Sequence, residues 1–318
     1  MFKNLHELLL SMPTEKACRD YLIAQRWDGC PVCPYCGFDG KTYVIEGGKR
    51  FKCGASQDVC GKKYSVTVGT IFESSKIPLT KWLNAVYVVT AHKKGISSHQ
   101  LGRDLGVTQR TAWFMIHRIR EMMKQVAPAK MEGIVQMDEA YLSRKYRSDF
   151  KGVSEEEIDY KVQHPSYNKG MLIGLYEKKT KTVIPIVVEP NLDGVRMTKI
   201  ICDNVKEHST IHTDESRLYT DAERNGYYRE SVHHGKRQWV KPSLSAGKVH
   251  TNNIENFWGV MKRAIHGTWH QISYKHLQAY SNECAYRYNT REWKDYERFI
   301  ITLDNMERRL TWAVLTKK

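Results

Sequence analysis

The sequence lacks long apolar runs. No stretch approaches the roughly 18–20 consecutive apolar residues that a membrane-spanning helix requires. The first segment, MFKNLHELLLSMPTEKACRDYL, has too short an apolar stretch and too many interrupting charges for a secretory signal. These absences argue against a helical membrane protein and against an exported one. We therefore expect a cytoplasmic protein with no membrane partner.

Acidic residues are scarce relative to basic ones. The 318 residues include 35 Asp and Glu against 50 Lys and Arg, which gives a formal net charge of +15. This excess favours a polyanionic partner, because neutralisation of phosphates drives nucleic-acid affinity. Charge alone is also compatible with a basic protein that has no such partner. The chain is long enough for two or three domains.

Cysteine is scarce outside one short segment. Five of the eight cysteines lie between Cys30 and Cys60, and without an export signal such clustering favours a metal over disulfides. A Cys-Pro-Tyr-Cys-Gly turn contains Cys33 and Cys36, and Cys53 and Cys60 follow it. Four thiolates in two pairs are a ligand set that Zn²⁺ takes in a tetrahedron. The sequence therefore predicts a structural zinc site with four ligands, Cys33, Cys36, Cys53 and Cys60.

Other interpretations of the cysteines stay open. A Cys-x-x-Cys pair can be a redox dithiol, but that requires a strand–helix context which this segment lacks. The cysteines could also be small core residues. The second pair, in CGASQDVC, is more widely spaced than usual, and Cys30 could replace one of the ligands.

Residues 96–123, ISSHQLGRDLGVTQRTAWFMIHRIREMM, have the spacing of a helix-turn-helix. Gly106 permits a tight turn, and Thr108 is suited to cap the second helix. The first turn of that helix is where base edges or phosphates are contacted, so the candidate DNA-binding residues are Gln109, Arg110 and Thr111. A small three-helix packing can have the same spacing. Basic character favours DNA, and the arginines that contribute it are Arg103, Arg110, Arg118 and Arg120.

The later part of the sequence alternates strand-like and helical runs. The strand-like runs are IVQMDEAYL, MLIGLYEK, TVIPIVVEP and STIHTDE, and a helical run, GVRMTKIICDNV, follows the third. We interpret the polar segment 144–169 as a loop and VAPAKMEG, at 126–133, as a linker. From His250 onward the pattern is helical again. Together these runs predict a mixed α/β domain.

Acidic pairs follow the apolar part of two strand-like runs. Asp138 lies at the end of the apolar strand IVQMD, next to Glu139, and Asp214 lies at the end of STIHTD, next to Glu215. An acid at the end of a buried strand loses solvation unless it serves a turn, an ion pair or a metal. Each aspartate alone fits a strand-end turn. Two strands that bring aspartates to one edge predict a site for Mg²⁺ (or Mn²⁺), which prefers hard oxygen ligands.

A third candidate element is HTNNIENFWGVMKRAIHG, residues 250–267. Asn252 is suited to cap a helix, and Glu255 follows three residues later, as in a capping box. In the alternative interpretation, the Glu255 carboxylate faces the same ions as the two aspartates. Lys262 then lies two turns further along the same helix face, where its charge can hold the DNA backbone. We interpret Phe257 and Trp258 as core residues.

Together these segments resemble the IS1595-type insertion-sequence transposases, whose catalytic domain is ISXO2-like. The resemblance covers nearly the whole chain and is carried by CPYCG, KCGASQDVCGKKYSVTVGTIFESSKIPLTKW, QMDEAYL, IHTDES and VHTNNIENFWGVMKRAIHGTWHQISYKHLQAYSNECAYRYNTR. It implies the α/β class, with a ribonuclease-H-like catalytic core preceded by a zinc ribbon and a helix-turn-helix. We accordingly expect a helix and zinc ribbon in 1–75, a DNA-binding region in 76–128 and a catalytic domain in 129–318.

The resemblance also implies a DDE-type triad of catalytic residues. Asp138 and Asp214 match its first two positions, and both Asn252 and Glu255 fit the third. We favour Glu255, because a carboxylate binds Mg²⁺ better than an amide does and because Lys262 stands in the expected relation to it. Asn252 stays an alternative.

The implied function is that of a DNA transposase. Such an enzyme binds the ends of an insertion sequence, hydrolyses phosphodiester bonds with two divalent ions and joins the 3′-hydroxyl to target DNA. Lys262 and Arg263 would contact DNA, and cutting of paired ends favours a homo-oligomer. Two other functions fit part of the sequence: a non-catalytic DNA-binding regulator, and a metal-dependent nuclease that does not join ends.

Overall fold

The structure, a computed structural model, describes residues 2–124, 130–142, 152, 154–163, 170–189, 192–243 and 247–317. Its chain divides into two compact units, one of Met1–Met123 with Glu292–Lys318 and the other of Lys124–Arg291. We had expected Glu292–Lys318 to continue the catalytic domain, and the division into three domains stays a prediction. Residues 126–129 of the predicted linker lie outside the described residues. Among the described helices, none combines the length and apolar character that a bilayer crossing requires.

In the described residues, the α-helices are α1 (Leu5–Ser11), α2 (Glu15–Trp27), α3 (Leu79–Ala91), α4 (Ser98–Leu105), α5 (Gln109–Met122), α6 (Glu155–Gln163), α7 (Gly194–Asn204), α8 (Asn252–Ala264), α9 (Leu277–Asn289), α10 (Asp295–Asp304) and α11 (Trp312–Thr316). The strands are β1 (Thr42–Ile45), β2 (Arg50–Cys53), β3 (Lys63–Tyr64), β4 (Ile134–Leu142), β5 (Gly170–Glu177), β6 (Thr182–Val188), β7 (Thr210–Thr213), β8 (Tyr228–Ser231), β9 (Lys241–Pro242) and β10 (Lys248–Val249).

The first unit opens with two capped helices and a small sheet. The side chains of Asn4 and Thr14 accept backbone N–H groups at the starts of α1 and α2, which is the usual role of such residues at a helix N-terminus. Strand β2 pairs antiparallel with both β1 and β3. Trp27 packs edge-on against Phe51 and Tyr64. This core is small, and the buried cysteines form part of it.

Helices α4 and α5 are the helix pair predicted around Gly106. Gly106 ends α4 with a φ of +60°, in the left-handed region that favours glycine. The Thr108 side chain accepts the backbone N–H of Thr111 at the start of α5. A Cβ at Gly102 would approach the Val107 carbonyl oxygen to 3.0 Å, so a glycine at this position lets the helix and the turn pack closely. The predicted positions of both helices and of the turn are confirmed.

Two of the four arginines that give this segment its basic character are buried. Arg118 is 5% exposed, and its guanidinium donates to the Leu310 carbonyl oxygen at 2.9 Å. Arg120 is 2% exposed. Arg103 and Arg110 are exposed. Only these last two can add positive charge to the surface of the helix pair, because Arg118 and Arg120 lie on the part of α5 that packs inside the first unit.

A five-stranded sheet in the order β6-β5-β4-β7-β8 organises the second unit. Strand β5 runs antiparallel to β4 and β6, whereas β7 runs parallel to β4 and β8. The four predicted strands correspond to β4, β5, β6 and β7, and the predicted helix corresponds to α7. The mixed α/β prediction is therefore confirmed.

Several elements of the second unit were not predicted, among them the short strands β9 and β10, strand β8 and helix α6. Strand β8 adds an edge to the sheet beyond β7. Helix α6 lies inside the segment 144–169 that we interpreted as a loop, and that interpretation is wrong for Glu155–Gln163. Most of the remainder of this segment lies outside the described residues. Three glutamates in the first turn of α6 favour helix, since negative charge stabilises a helix N-terminus.

Helices cover both faces of this sheet. On one face, Met137 of β4 belongs to a core with residues of α7. On the other face, Ala140 belongs to a core with residues of α8 and α9. Successive side chains of a strand point to opposite faces. Asp138 therefore shares the face of α8, and Glu139 shares the face of α7.

Gly174 lets α8 approach the sheet beside Asp138. The two residues are register partners on β5 and β4. A Cβ at position 174 would lie 2.5 Å from the Trp258 ring and 2.6 Å from the Ile254 side chain. Both distances are shorter than van der Waals contact allows. The missing side chain thus determines how close the N-terminal half of α8 lies to the end of β4.

We expect Gly174→Ala to lower the free energy of unfolding by about 1–3 kcal/mol, because overpacking a filled core forces side chains or backbone to shift. Denaturant titration of the purified variant measures this change. Gly267→Ala is the matched control, because a Cβ there meets nothing within 4 Å. Equal stabilities of the two variants would show that α8 does not pack this tightly.

Candidate functional site

Four cysteines of the first unit bring their sulfur atoms together. The Sγ atoms of Cys33 and Cys60 are 3.8 Å apart, those of Cys36 and Cys53 are 3.7 Å apart, and all four lie within 4.8 Å of one another. A zinc–sulfur distance of about 2.3 Å in a regular tetrahedron gives sulfur–sulfur distances of about 3.8 Å. The arrangement therefore fits a tetrahedral Zn²⁺ site of the kind the sequence predicts.

Turns deliver these sulfurs. The Gly37 N–H donates to the Cys33 carbonyl, and Gly37 adopts a φ of +72°. The wide spacing before Cys60 is taken up by a turn in which the Cys60 N–H donates to the Ser56 carbonyl at 3.0 Å. Burial raises the pKa of Cys33, but nearby backbone N–H groups outweigh burial and lower that pKa overall, which favours a thiolate. Cys30 is exposed and lies outside the group of four.

In the second unit, three carboxylates lie together at the edge of the sheet where β7 ends. The expectation that Asp138 ends its strand is wrong, because β4 continues through Glu139 to Leu142 along its antiparallel partner β5. Oxygen atoms of Asp138, Glu139 and Asp214 all lie within 4.8 Å of one another. The parallel pairing of β4 with β7 explains the approach of the two aspartates: Gln136 pairs with His212, and each aspartate follows two residues later. The sequence-based expectation that β4 and β7 bring these aspartates together is therefore met by the geometry.

Burial and neighbouring charges raise the pKa values of two of these carboxylates. The pKa of Asp138 is raised to about 6, chiefly by burial and to a smaller extent by the charges of Asp214 and Glu255, against the opposing effect of a backbone N–H. Burial likewise raises the pKa of Glu139 to about 7, with contributions from Asp214 and Asp138. Adjacent ionised carboxylates in a partly buried site repel one another. A divalent cation would relieve this repulsion, and carboxylate oxygens are the ligands that Mg²⁺ or Mn²⁺ prefers.

Glu255 lies near this cluster but not inside it. Its carboxylate accepts a hydrogen bond from the Thr251 hydroxyl at 2.6 Å and lies 3.8 Å from the His234 imidazole. It acts on Asp138 through its charge, yet it is not among the acids whose oxygens lie within 4.8 Å. Asn252 is exposed. The predicted cap at Asn252 is wrong, because α8 begins at Asn252 and Thr251 holds the cap position.

The other predicted contacts of α8 lie where the helical spacing places them. Lys262 and Arg263 are exposed in the last turn of α8. Phe257 and Trp258 are buried, as expected of core residues. The face of α8 that carries Glu255 also carries Lys262 two turns later.

The sequence did not identify Glu139 as a member of the acidic cluster. The Asp-Glu pairs at 138–139 and 214–215 have equivalent positions in the sequence, but their glutamates differ in the fold. The Glu215 carboxylate accepts the backbone N–H groups of His234 and Gly235 at 2.9 and 3.0 Å. These bonds, that of Gly235 foremost, lower the pKa of Glu215 to about 2. Only the adjacency of two acids at a strand end could have indicated Glu139.

The candidate DNA-binding residues of α5 lie at its exposed start. Gln109 and Arg110 are exposed and Thr111 is half-buried. The Gln109 side-chain amide donates to the Ser98 hydroxyl at 2.8 Å, and the Arg110 guanidinium lies 4.5 Å from the Trp312 ring centroid. A surface groove runs beside them, and its lining includes His99, Arg103, Gly106, Thr108, Gln109 and Thr111.

The zinc site can be tested by removing single sulfurs. We expect Cys53→Ser to lose the zinc of the purified protein, because three thiolates cannot complete the tetrahedron. Cys30→Ser should retain zinc, since Cys30 lies outside the group of four. Elemental analysis of both variants measures this directly. Loss of zinc from Cys30→Ser with retention in Cys53→Ser would contradict the assignment.

The raised pKa of Glu139 predicts a pH-dependent effect of Glu139→Gln. The pKa is raised from 4.5 to about 7 in the folded protein, so the folded state binds this proton more tightly than the unfolded state does. Stability from this group is present at low pH and is lost as pH rises toward 7. Without added Mg²⁺ or Mn²⁺, we expect the variant to gain stability over wild type as pH rises through this window.

Denaturant titrations of Glu139→Gln and wild type at about pH 5 and about pH 7.5 measure this effect. Glu215→Gln serves as the opposite control, because the pKa of Glu215 is lowered. For Glu215 the sign reverses, and its replacement should not stabilise the protein at neutral pH. A stability difference between Glu139→Gln and wild type that is the same at both pH values would contradict the prediction.

Two family models match the parts of the chain that contain these two sites. The family described as "ISXO2-like transposase domain" matches residues 130–289, which contain the carboxylates. The family described as "Transposase zinc-ribbon domain" matches residues 13–63, which contain the four cysteines.

Two relatives also show sequence similarity. A protein in transposable element ISH50 of Halobacterium salinarum is 25% identical over 269 residues, or 79% of this chain and 83% of the relative. A transposase-like protein of Haemophilus influenzae is 27% identical over 114 residues, or 36% of this chain and 87% of the relative. The ISXO2-like match spans half of the 318 residues. The chain therefore belongs to the family of IS1595, ISXO2-like transposases.

Proposed function

We propose that this protein is an active DNA transposase that binds the ends of an insertion sequence, hydrolyses phosphodiester bonds there and joins the 3′-hydroxyl to target DNA. The observation that carries the proposal is the approach of Asp138, within β4, to Asp214, directly after the neighbouring strand β7, in a chain of a transposase family. Membership of the family indicates phosphodiester hydrolysis and joining as the reaction, and the carboxylates are the candidate ligands for the metal ions of that reaction.

The sheet supports a ribonuclease-H-like core. Three antiparallel strands, β6, β5 and β4, continue into the parallel strands β7 and β8, and helices lie on both faces. In this arrangement the first strand, β4, is central and carries Asp138 beside the end of β7. Asp138 is thereby held within a central strand, and Asp214 is held by the end of the strand next to it.

Asp138 and Asp214 would hold the divalent ions together with a third residue. Mg²⁺ or Mn²⁺ bound there would supply Lewis-acid activation of the attacking and leaving oxygens of the phosphodiester. The protein's own part is to orient the carboxylates, and burial of both sheet faces keeps β4 and β7 in register. No covalent link between protein and DNA is required for hydrolysis or joining by this route.

Glu255 is the favoured third residue. It acts on Asp138 through its charge, and the hydrogen bond from Thr251 orients its carboxylate. Asn252 offers only a neutral amide at the exposed first position of α8. The amide is the weaker ligand for a hard cation.

DNA contacts are proposed in both units. In the first unit, Gln109, Arg110 and Thr111 at the start of α5 would reach the DNA as the recognition helix of a helix-turn-helix does. In the second unit, Lys262 and Arg263 would bind backbone phosphates. Zn²⁺ held by the four cysteines would stabilise the fold of the ribbon. Simultaneous cutting of two ends favours a homo-oligomer on DNA.

The decisive experiment is cleavage and joining of labelled duplexes that carry the element's own terminal repeats, with Mg²⁺ present. We expect wild type to release 3′-hydroxyl ends and to form joined products. Asp138→Asn, Asp214→Asn and Glu255→Gln should abolish both steps while DNA binding persists, because binding depends on the basic surface. Asn252→Ala should stay active.

The same assay separates the proposal from its alternatives. Cleavage without joined product would identify a metal-dependent nuclease. DNA binding with neither product, in protein whose zinc and fold are intact, would favour a non-catalytic regulator. Loss of activity in Asn252→Ala together with an active Glu255→Gln would overturn the choice of third residue and leave the reaction class unchanged.

A further inference from the structure

Glu139 lies in the same carboxylate cluster as Asp138 and Asp214, but the proposed mechanism gives it no role. Its carboxylate shares the tight group with Asp138 and Asp214, whereas Glu255 does not. We propose that Glu139 is itself a ligand for the divalent ion at this site, and that buried Tyr219 positions it. This inference rests on the proposed function, because it concerns the metal site of that reaction.

The pleat of β4 makes this membership unexpected. Neighbouring side chains of a strand point to opposite faces, so Asp138 and Glu139 leave β4 toward α8 and toward α7 respectively. At the edge of the sheet, however, Asp214 follows the end of β7 and is reached from both sides. The oxygens of all three acids then lie within 4.8 Å of one another. An ion at this edge can take oxygens from both faces.

Two buried polar atoms on the α7 face point to a missing ligand. One is the Glu139 Oε1 atom, and the other is the hydroxyl of Tyr219, a residue that is 0% exposed. Within the described part of the chain, neither atom has a hydrogen-bond partner at normal distance and angle, although the Tyr219 hydroxyl lies near enough to the Glu139 carboxylate to lower the pKa of Glu139. Buried polar atoms without a partner are rare and require an explanation, such as a bound ion or water. Tyr219 interacts electrostatically with Glu139, Asp138 and Asp214, so its hydroxyl lies close to the cluster.

The segment that carries Tyr219 is firmly held. It is a 3-10 helix, Arg217–Asn225, that follows Asp214 directly. The Arg229 guanidinium donates to the carbonyl oxygens of Asp214 and Ser216 at 3.1 and 2.9 Å, and it lies 5.8 Å from the Tyr219 ring centroid. Tyr219 can therefore limit the rotation of the Glu139 side chain while β4 fixes its backbone.

On the other face, Trp258 stands beside Asp138 in a similar way. It is 3% exposed, and in the described residues its indole nitrogen has no hydrogen-bond partner at normal distance and angle. The nearby indole N–H lowers the pKa of Asp138, and the nearby Tyr219 hydroxyl lowers the pKa of Glu139, in both cases against the larger effect of burial. Each acid of the pair thus has one buried donor group next to it.

Charge also favours a fourth acid. Asp138, Asp214 and Glu255 carry three negative charges when ionised, and Glu139 adds a fourth. Four carboxylates match the charge of two divalent cations, which is the number that two-metal phosphoryl chemistry uses.

Glu215 provides a matched control from the same edge of the sheet. It follows Asp214 as Glu139 follows Asp138, but both of its carboxylate oxygens are occupied by the backbone N–H groups of His234 and Gly235. Glu215→Gln keeps an acceptor oxygen for one of these groups. It removes one negative charge near the site without removing an available ligand.

The test is Mn²⁺ binding to the full-length, zinc-loaded protein without DNA, followed through the electron paramagnetic resonance signal of free Mn²⁺. We expect Glu139→Gln to weaken Mn²⁺ binding at least about 10-fold, and Tyr219→Phe to weaken it by up to about 10-fold, as loss of a ligand's supporting partner does. Glu215→Gln should stay within about 2-fold of wild type. Asp138→Asn and Asp214→Asn should lose binding.

The outcomes separate this inference from the proposed function. Wild-type Mn²⁺ affinity in Glu139→Gln, with binding lost in Asp138→Asn and Asp214→Asn, would overturn the role of Glu139 and leave the transposase site intact. If Glu139→Gln, Tyr219→Phe, Asp138→Asn and Asp214→Asn all bind Mn²⁺ with wild-type affinity, the cluster is not a metal site, and the proposed function loses its support. Equal weakening in Glu139→Gln and Glu215→Gln would show that only the net charge matters and would also overturn the inference.

A second measurement needs no variant and so does not depend on how the variants fold. Fe²⁺ with ascorbate and peroxide, added to wild-type protein, cuts the chain near bound iron. We expect cuts in β4 and in the Arg217–Asn225 segment that carries Tyr219, suppressed by excess Mg²⁺. Cuts confined to β4 and α8, with the Arg217–Asn225 segment intact, would place the ion on the other face and contradict a ligand role for Glu139.

Discussion

Repulsion between two carboxylates within β4 and a third at the end of β7 is the constraint on which the second unit depends. The oxygens of Asp138, Glu139 and Asp214 lie within 4.8 Å of one another, and burial raises the pKa values of the first two. Such a group opposes folding unless a cation neutralises it. The rest of the sheet must therefore hold β4 and β7 together against this repulsion, and the apolar cores on both faces are what can do so.

Small and buried side chains, rather than ion pairs, determine the positions of these carboxylates in the described residues. Gly174 leaves room for α8 beside Asp138, and α8 brings the charge of Glu255 to bear on that aspartate. On the opposite face, Tyr219 lies in the core that includes α7. The acids thus sit in an environment whose shape is set by packing, which is the condition for a preorganised metal site.

The sequence predicted the features that depend on local pattern. Apolar runs of strand length identified β4 to β7, and the spacing around Gly106 identified the pair α4 and α5. Features that depend on tertiary packing were missed: Arg118 and Arg120 read as surface charge but are buried. The glutamates after the two aspartates are indistinguishable in the sequence, because only the fold shows that backbone N–H groups occupy Glu215. Helix α6 and strand β8 were missed because their short runs lack a strong apolar period.

The most direct test of the account is a crystal structure of the protein grown with Mn²⁺, with anomalous scattering used to locate the metal. The account predicts anomalous peaks at coordination distance, about 2.0–2.2 Å, from carboxylate oxygens of both Asp138 and Asp214. Absence of any peak there, with lysine or arginine side chains neutralising the two aspartates instead, would contradict the claim that this edge of the sheet is a divalent-metal site.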